Sequence, residues 1–318
     1  MSSQPGRRSR SPLSVGWVAR RILAGAISVW GVVSILWLAL QLSGAPLALF
    51  VQQDATPEEL ERATELLGYN EPILQRYLTF MASVLTGSFP DSLQYQQSPM
   101  EIIIARLPST VQLAAVALLI GGLLGLVLGY LSVFGRALIR SAISAAVSSL
   151  QAIPTFVLCV LLVLFLSIRT NWLPASGADS PAGIVNPALA LGIGVAVPIA
   201  RVFRASLEDQ SQAEFVVAAR ATGRSERQVR RLHVVPNALL PVVSVFGVEI
   251  GHLLAGTVIV ESIFRWPGVG GVMMTAVTNQ DYPLILASVV WTAIAFVVVG
   301  SVVDLIYALV DPRVVLET

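Results

Sequence analysis

The chain has 318 residues, of which 55% are hydrophobic and 12% charged, against about 25% charged in a typical soluble domain. That much apolar surface excludes an ordinary water-soluble fold and makes lipid the solvent. All 20 basic residues are arginine, so there is no lysine for a Walker A phosphate loop or a Schiff base, and the net charge of +1 says nothing about partners until the arginines are placed loop by loop.

A run of about 18 apolar residues is long enough to cross a bilayer as a helix. No charge falls between Arg21 and Asp54, which predicts a first span over residues 22–42. The run is too long for a cleaved signal peptide and reads as an anchor after a short segment, 1–21. The charge-free stretches between Arg106 and Arg136 and between Arg140 and Arg169 predict spans over 111–134 and 144–168. The single cysteine, Cys159, lies in the latter and reads as a packing residue. Spans four to six are predicted over 184–201, 239–264 and 284–310, with Pro154 and Pro198 able to kink spans three and four.

Arginine placement orients the spans. Arg7, Arg8, Arg10, Arg20 and Arg21 precede the first, Arg136 and Arg140 join the second to the third, and Arg204, Arg220, Arg224, Arg227, Arg230 and Arg231 cluster around the loop 205–238. Segment 43–108 is acidic by contrast. The positive-inside rule predicts that both termini are cytoplasmic.

The outer segment 43–108 reads as a small helical cap. Thr56 and Glu59 form a capping box around Pro57, with Leu60, Ala63 and Leu67 on one face and Gly68 as the stop. A second helix is predicted from Pro72 with a stripe of Leu74, Tyr77, Leu78 and Met81, and Ser98, Pro99 and Glu101 repeat the start signal before 102–107. In the inner loop, residues 213–222 predict a short helix with Phe215, Val216 and Ala219 apolar. Gly223 supplies a left-handed stop, and Ser225 with Gln228 caps a second helix bearing Arg227, Arg230 and Arg231. Geometry alone fits either a rigid cytoplasmic knob or an amphipathic helix on anionic lipid.

Charges inside a bilayer are functional hypotheses by default. Glu249 and His252 share one face of span five, among Gly247, Gly251 and Gly256, which admit another helix closely. They line a translocation path or form a mutually satisfied packing pair. Glu261 and Asp304 fit structural roles such as accepting hydrogen bonds from helix ends. The only histidines, His233 and His252, stand in no His-Glu-x-x-His context and no Gly-x-Ser-x-Gly is present, so an intramembrane enzyme lacks its constellation. No internal repeat supports a self-sufficient secondary carrier.

The stretch 213–241, AEFVVAARATGRSERQVRRLHVVPNALLP, resembles the Glu-Ala-Ala-x-x-x-Gly coupling motif of ATP-binding-cassette importer permeases. Ala218, Ala219 and Gly223 match, with Val217 in place of the glutamate. The series Ala219-Arg220-Ala221-Thr222-Gly223, Asn237-Ala238-Leu239-Leu240-Pro241, Glu261 with Phe264-Arg265-Trp266-Pro267-Gly268, Asp281-Tyr282-Pro283 and Asp311-Pro312-Arg313 resembles the dipeptide/oligopeptide/nickel branch. Leu67-Gly68-Tyr69-Asn70-Glu71-Pro72 and Arg106-Leu107-Pro108 extend the likeness towards the N-terminus, while Thr86-Gly87-Ser88-Phe89 departs from the branch's usual turn.

The resemblance implies an all-α protein of six spans, with a permease core over 109–312 and a short tail, 313–318, in a bacterial inner membrane. It implies two ATPase subunits that bind the ATP, a second, related permease, an extracytoplasmic binding protein, and no cofactor or nucleic acid for this chain. Glu214, Phe215, Ala218, Ala219, Arg220, Ala221 and Gly223 would form the ATPase-coupling helix. Glu249 and His252 depart from the branch, which carries an amide and a small residue there, and are the candidate path residues. The implied cargo is a peptide or a related solute such as a metal chelate.

Overall fold

The computed structural model describes residues 15–42 and 70–310. Among them every regular element is helical: α1 (Val15–Leu42), α2 (Ile73–Thr86), α3 (Pro99–Phe134), α4 (Ala137–Gln151), α5 (Thr155–Leu162, continuing π-helically over Val163–Arg169), α6 (Val185–Ser211), α7 (Glu214–Ala221), α8 (Glu226–Val229, continuing π-helically over Arg230–Val234), α9 (Val235–Ala238), α10 (Leu240–Phe264), α11 (Val269–Thr278) and α12 (Tyr282–Val310). Among the described residues four helices are long and apolar enough to cross a membrane, and up to six spans result if each of two bent pairs counts as one. The first capping box (Thr56 to Glu59) and the Asp311-Pro312-Arg313 match lie outside the described residues, as does the side chain of Asp304.

The core is built on α3 against α6. Gly121, Gly125 and Gly129 stand one turn apart on α3. A Cβ on Gly121 or Gly125 would overlap Val195 or Ile199 of α6, and one on Gly129 would lie 3.0 Å from the Ala200 carbonyl oxygen. This small-residue ladder lets two backbones approach in a solvent where packing, not hydrophobicity, drives helix association. The sequence reading expected close approach on span five as well. There, Gly251 meets the Phe296 ring of α12 at ordinary contact distance. α6 is accordingly the most enclosed of the four unbroken spans, with 61% of its most apolar stretch buried against 28% for α3 and 17% for α1 and for α12. Cys159 is fully buried in the same core.

Two spans differ from the sequence reading. Residues 144–168 do not form one helix: α4 and the α5 segment Thr155–Arg169 meet at 112°. Pro154 has no N–H to donate and disfavours helical backbone at Ile153, so α4 stops at Gln151 and α5 restarts with Pro154 as its cap. Conversely, the helix expected over 102–107 and the span expected over 111–134 fuse into α3, which runs through Pro108. One lost backbone bond is outweighed because Ile102 and Ile103 are buried at that end. Ser98 occupies the N-cap position of α3 and Pro99 its first turn, but the Ser98 side chain makes no capping bond.

α1, α2 and α12 form a peripheral layer. The face of α2 turned inward is Tyr77, Phe80, Met81 and Val84, packed on Val29, Val33 and Trp37 of α1. Leu74 and Leu78, expected in that stripe, are 66% and 59% exposed. Trp37 decides the register: it meets Tyr77 edge-on at 5.3 Å and stacks on Phe80 at 6.4 Å, contacts of about 0.5–1.5 kcal/mol each beyond area burial.

Candidate functional site

Two places carry the sequence-predicted residues: the knob formed by α7 to α9, and α10. Glu214 and the N–H groups of the first turn start α7, and Gly223, at φ +79°, ends it in the left-handed region that a side chain resists. Ser225 and Gln228 then close a reciprocal cap on α8: the Ser225 N–H donates to Gln228 Oε1 at 3.1 Å and the Gln228 N–H to Ser225 Oγ at 3.4 Å. Arg220 locks the pieces together, donating to Glu226 Oε1 at 2.8 Å and to the Ser211 carbonyl at 3.3 Å.

Burial divides the knob's residues. Val216 is fully buried and Ala219 nearly so, packed in the main core with Val229 and Val234; removing a valine side chain from water contributes about 1.5–3 kcal/mol. Glu214, Phe215, Ala218, Arg220, Ala221 and Gly223 are exposed. Phe215 and Val217 present 43% and 57% of their surface beside the buried pair. α7 thus has one buried stripe that anchors it, flanked on either side by the exposed apolar side chains of Phe215 and Val217. Ala219 belongs to the anchor, so its part in any docking is to hold the helix in place.

On α10, Glu249 is 7% exposed. Its Oε1 lies 3.6 Å from His252 Nδ1, an ion-pair distance too long for a hydrogen bond. The His252 side chain is 72% exposed. The two are therefore not a mutually enclosed pair. They border a cavity of about 210 Å³ with Thr155 of α5, Gly194 of α6 and Leu253.

Glu261, at the other end of α10, is fully buried. Thr110 Oγ1 donates to its Oε1 at 2.8 Å, and the Gly271 N–H to its Oε2 at 3.0 Å. The carboxylate thereby caps the first turn of α11, where helix N–H groups are unpaired and favour negative charge. Thr110 in turn accepts from the Val269 N–H at 2.9 Å, and Trp266 Nε1 donates to the Ser109 carbonyl at 2.9 Å. A Cβ on Gly268 would collide with this carboxylate, which gives the Trp-Pro-Gly segment its physical reason.

Asp281, also fully buried, is a functional residue of the fold that sequence reasoning left as part of a motif. It accepts from Ser92 Oγ, from the Gln94 N–H at 3.2 Å and from the Leu284 N–H at 3.3 Å. It caps α12 and ties down the loop before α3. An aspartate directly before Tyr-Pro at a helix start was the available signal. No group of three or more histidine, cysteine, aspartate or glutamate side chains able to hold a metal occurs among the described residues.

Residues 117–316 match the family described as "Binding-protein-dependent transport system inner membrane component". The chain is 31% identical over 304 residues to the glutathione transport system permease protein GsiC of Escherichia coli strain K12, covering 94% of this chain and 99% of that one. The Shigella flexneri serotype 5b protein of the same name matches to the same extent. In structure, a chain of the inward-facing MetNI methionine ABC transporter superposes with a TM-score of 0.57 at 20% identity, over 67% of this chain and 97% of that one. An amino acid ABC transporter with histidines gives 0.54 at 18%, over 65% and 93%. At such identities these two show the fold. The family match and the relatives' near-complete coverage place the chain: it belongs to the binding-protein-dependent transport system inner membrane components.

Proposed function

We propose that this chain is the permease subunit of an ATP-binding-cassette importer whose cargo is a peptide or a related small solute, and that it performs no chemistry itself. The near full-length likeness to a glutathione permease carries the substrate class. ATP is bound by two separate ATPase subunits, a second, related permease completes the path, and an extracytoplasmic binding protein delivers the solute. Both termini face the cytoplasm, as the arginine distribution predicts.

The observation that carries the coupling role is the split of α7, with Val216 and Ala219 buried and Phe215 and Val217 exposed. Exposed apolar side chains held out on an anchored knob are what a groove on an ATPase needs to grip. Because Arg220 and the buried pair tie the knob to α6 and α8, displacing α7 displaces the spans. Coupled closure of the ATPases then rocks the bundle between inward-open and outward-open states. Glu249 and His252, at a cavity among α5, α6 and α10, line the path.

The test is purification of the tagged chain from its native membrane with its partners, followed by ATP hydrolysis. An ATPase and a second permease should co-purify. Phe215→Asp should release the ATPase and lower hydrolysis about tenfold or more while the two permeases stay together, because a desolvated contact of this kind contributes about 2 kcal/mol. Recovery of the chain alone, with solute flux driven by an ion gradient, would refute the proposal.

A further inference from the structure

A groove of about 490 Å³, lined by no residue of α7, opens between α3, α6 and the segment that runs from α8 through α9 to Leu239. Its wall is apolar, with Leu126, Val127 and Leu131 on α3 facing Val235 and Leu239. Its rim is cationic: Arg227, Arg230 and Arg231 all line it, with Tyr130 among them.

The three arginines are held differently. Arg230 is pinned, its guanidinium 4.5 Å above the Phe134 ring and its Nε 3.9 Å from Glu226 Oε2. Arg227 and Arg231 are exposed and make no ion pair among the described residues. Glu226 already serves Arg220 at 2.8 Å, so the rim carries more positive than negative charge. Arg230 and Arg231 stand three and four residues after Arg227, a spacing that brings all three to one side of the helical segment.

From the groove, an apolar track runs along α3. Val127, Leu123 and Leu119, one turn apart, are 53%, 58% and 63% exposed. Three arginines and a tyrosine over an apolar slot that continues down a membrane span match one ligand in shape and charge. A phosphate diester sits at the rim, where guanidinium groups bind it bidentately, and an acyl chain follows the track.

We infer that this groove is a binding site for an anionic phospholipid, whose headgroup is held by Arg227, Arg230 and Arg231. The site braces α8 and α9 against α3 from the bilayer side, next to the helix that transmits ATPase movement. The inference rests on the cytoplasmic orientation proposed above only for which leaflet supplies the lipid.

The test uses the intact complex with whatever partners co-purify. After extensive detergent washing, retained lipids are extracted and quantified, and ATP hydrolysis is measured in nanodiscs of phosphatidylcholine with or without phosphatidylglycerol. The wild type should retain phosphatidylglycerol in preference to phosphatidylcholine and hydrolyse ATP faster when it is present. The double substitution Arg227→Gln and Arg231→Gln should cut that retention about tenfold. Leu131→Trp, which fills the wall and leaves the arginines in place, should lower it as well. Equal retention by the double variant and wild type would overturn the site. So would release of the lipid by inorganic phosphate alone, which would mark a free-anion site, or crosslinking of a photoactivatable benzophenone placed at Val127 to the partner permease, which would mark a protein interface. Lipid retention is read without regard to sidedness, so labelling of Arg231→Cys from the outer face would sink the orientation and leave this inference standing.

Discussion

The middle and the Phe264 end of α10 each bury a glutamate, and the two carboxylates live in opposite circumstances. Glu261 is enclosed and receives a hydroxyl and a backbone N–H, each at hydrogen-bond distance. Glu249 is nearly as enclosed, yet its ion-pair partner stands at 3.6 Å and is itself mostly exposed, at the edge of a cavity. A charge inside a membrane protein is costly in both places. At Glu261 the surrounding donors offset the cost and leave the group nothing further to do. At Glu249 the offset is partial, and a mobile solute or the histidine can complete it. Burial alone therefore does not tell the two carboxylates apart; the donors around Glu261 and the cavity beside Glu249 do.

That contrast can be broken by substitution. The largest effect is expected for Glu261→Ala, which strips the acceptor from Thr110 and Gly271 together. Each buried donor left unpaired costs about 1–3 kcal/mol, so folded protein recovered from the membrane, read by size-exclusion chromatography in detergent, should nearly vanish. Normal yield and normal melting would show that the knot around α11 is dispensable. Gly268→Ala approaches the same knot sterically, since its Cβ meets the Glu261 carboxylate. Overpacking of this kind costs about 1–3 kcal/mol, and the variant should fold with a lowered melting temperature; an unchanged one would mean that the carboxylate yields.

Glu249→Gln should have the smallest effect on stability, within about 1 kcal/mol, because shape is kept and no close hydrogen bond is lost. Its effect belongs in transport: the KM for solute uptake by the reconstituted transporter should change several-fold, with the ATPase still bound. A destabilised variant with unaltered kinetics would move Glu249 into the same structural class as Glu261 and erase the comparison.

The knob was more legible in the sequence than the membrane core. Its signals are local: Gly223 at a left-handed stop and Ser225 with Gln228 as a reciprocal cap are decided within a few residues, and the chain adopts them as read. The faces were less legible. Val216 and Ala219 point inward and Phe215 outward because Val229 and Val234 come back against α7, which no short window contains. The stripe on α2 was misassigned for the same reason, since Trp37 of α1 selects Tyr77 and Phe80 over Leu74 and Leu78. The ladder Gly121, Gly125 and Gly129 was readable as spacing, but only the position of α6 gives it a partner.

By itself the sequence determined that this chain lives in lipid, where the cap at Ser225 and Gln228 and the stop at Gly223 fall, and which family motifs it carries. These follow from composition, charge spacing and turn chemistry, all of them local properties. Tertiary structure alone decided that α4 and α5 part at 112°, that Glu261 and Asp281 serve as helix caps, and that Glu249 borders a cavity. The physical reason is that satisfaction of a buried polar group, and the choice of which apolar face is covered, depend on neighbours brought from far along the chain.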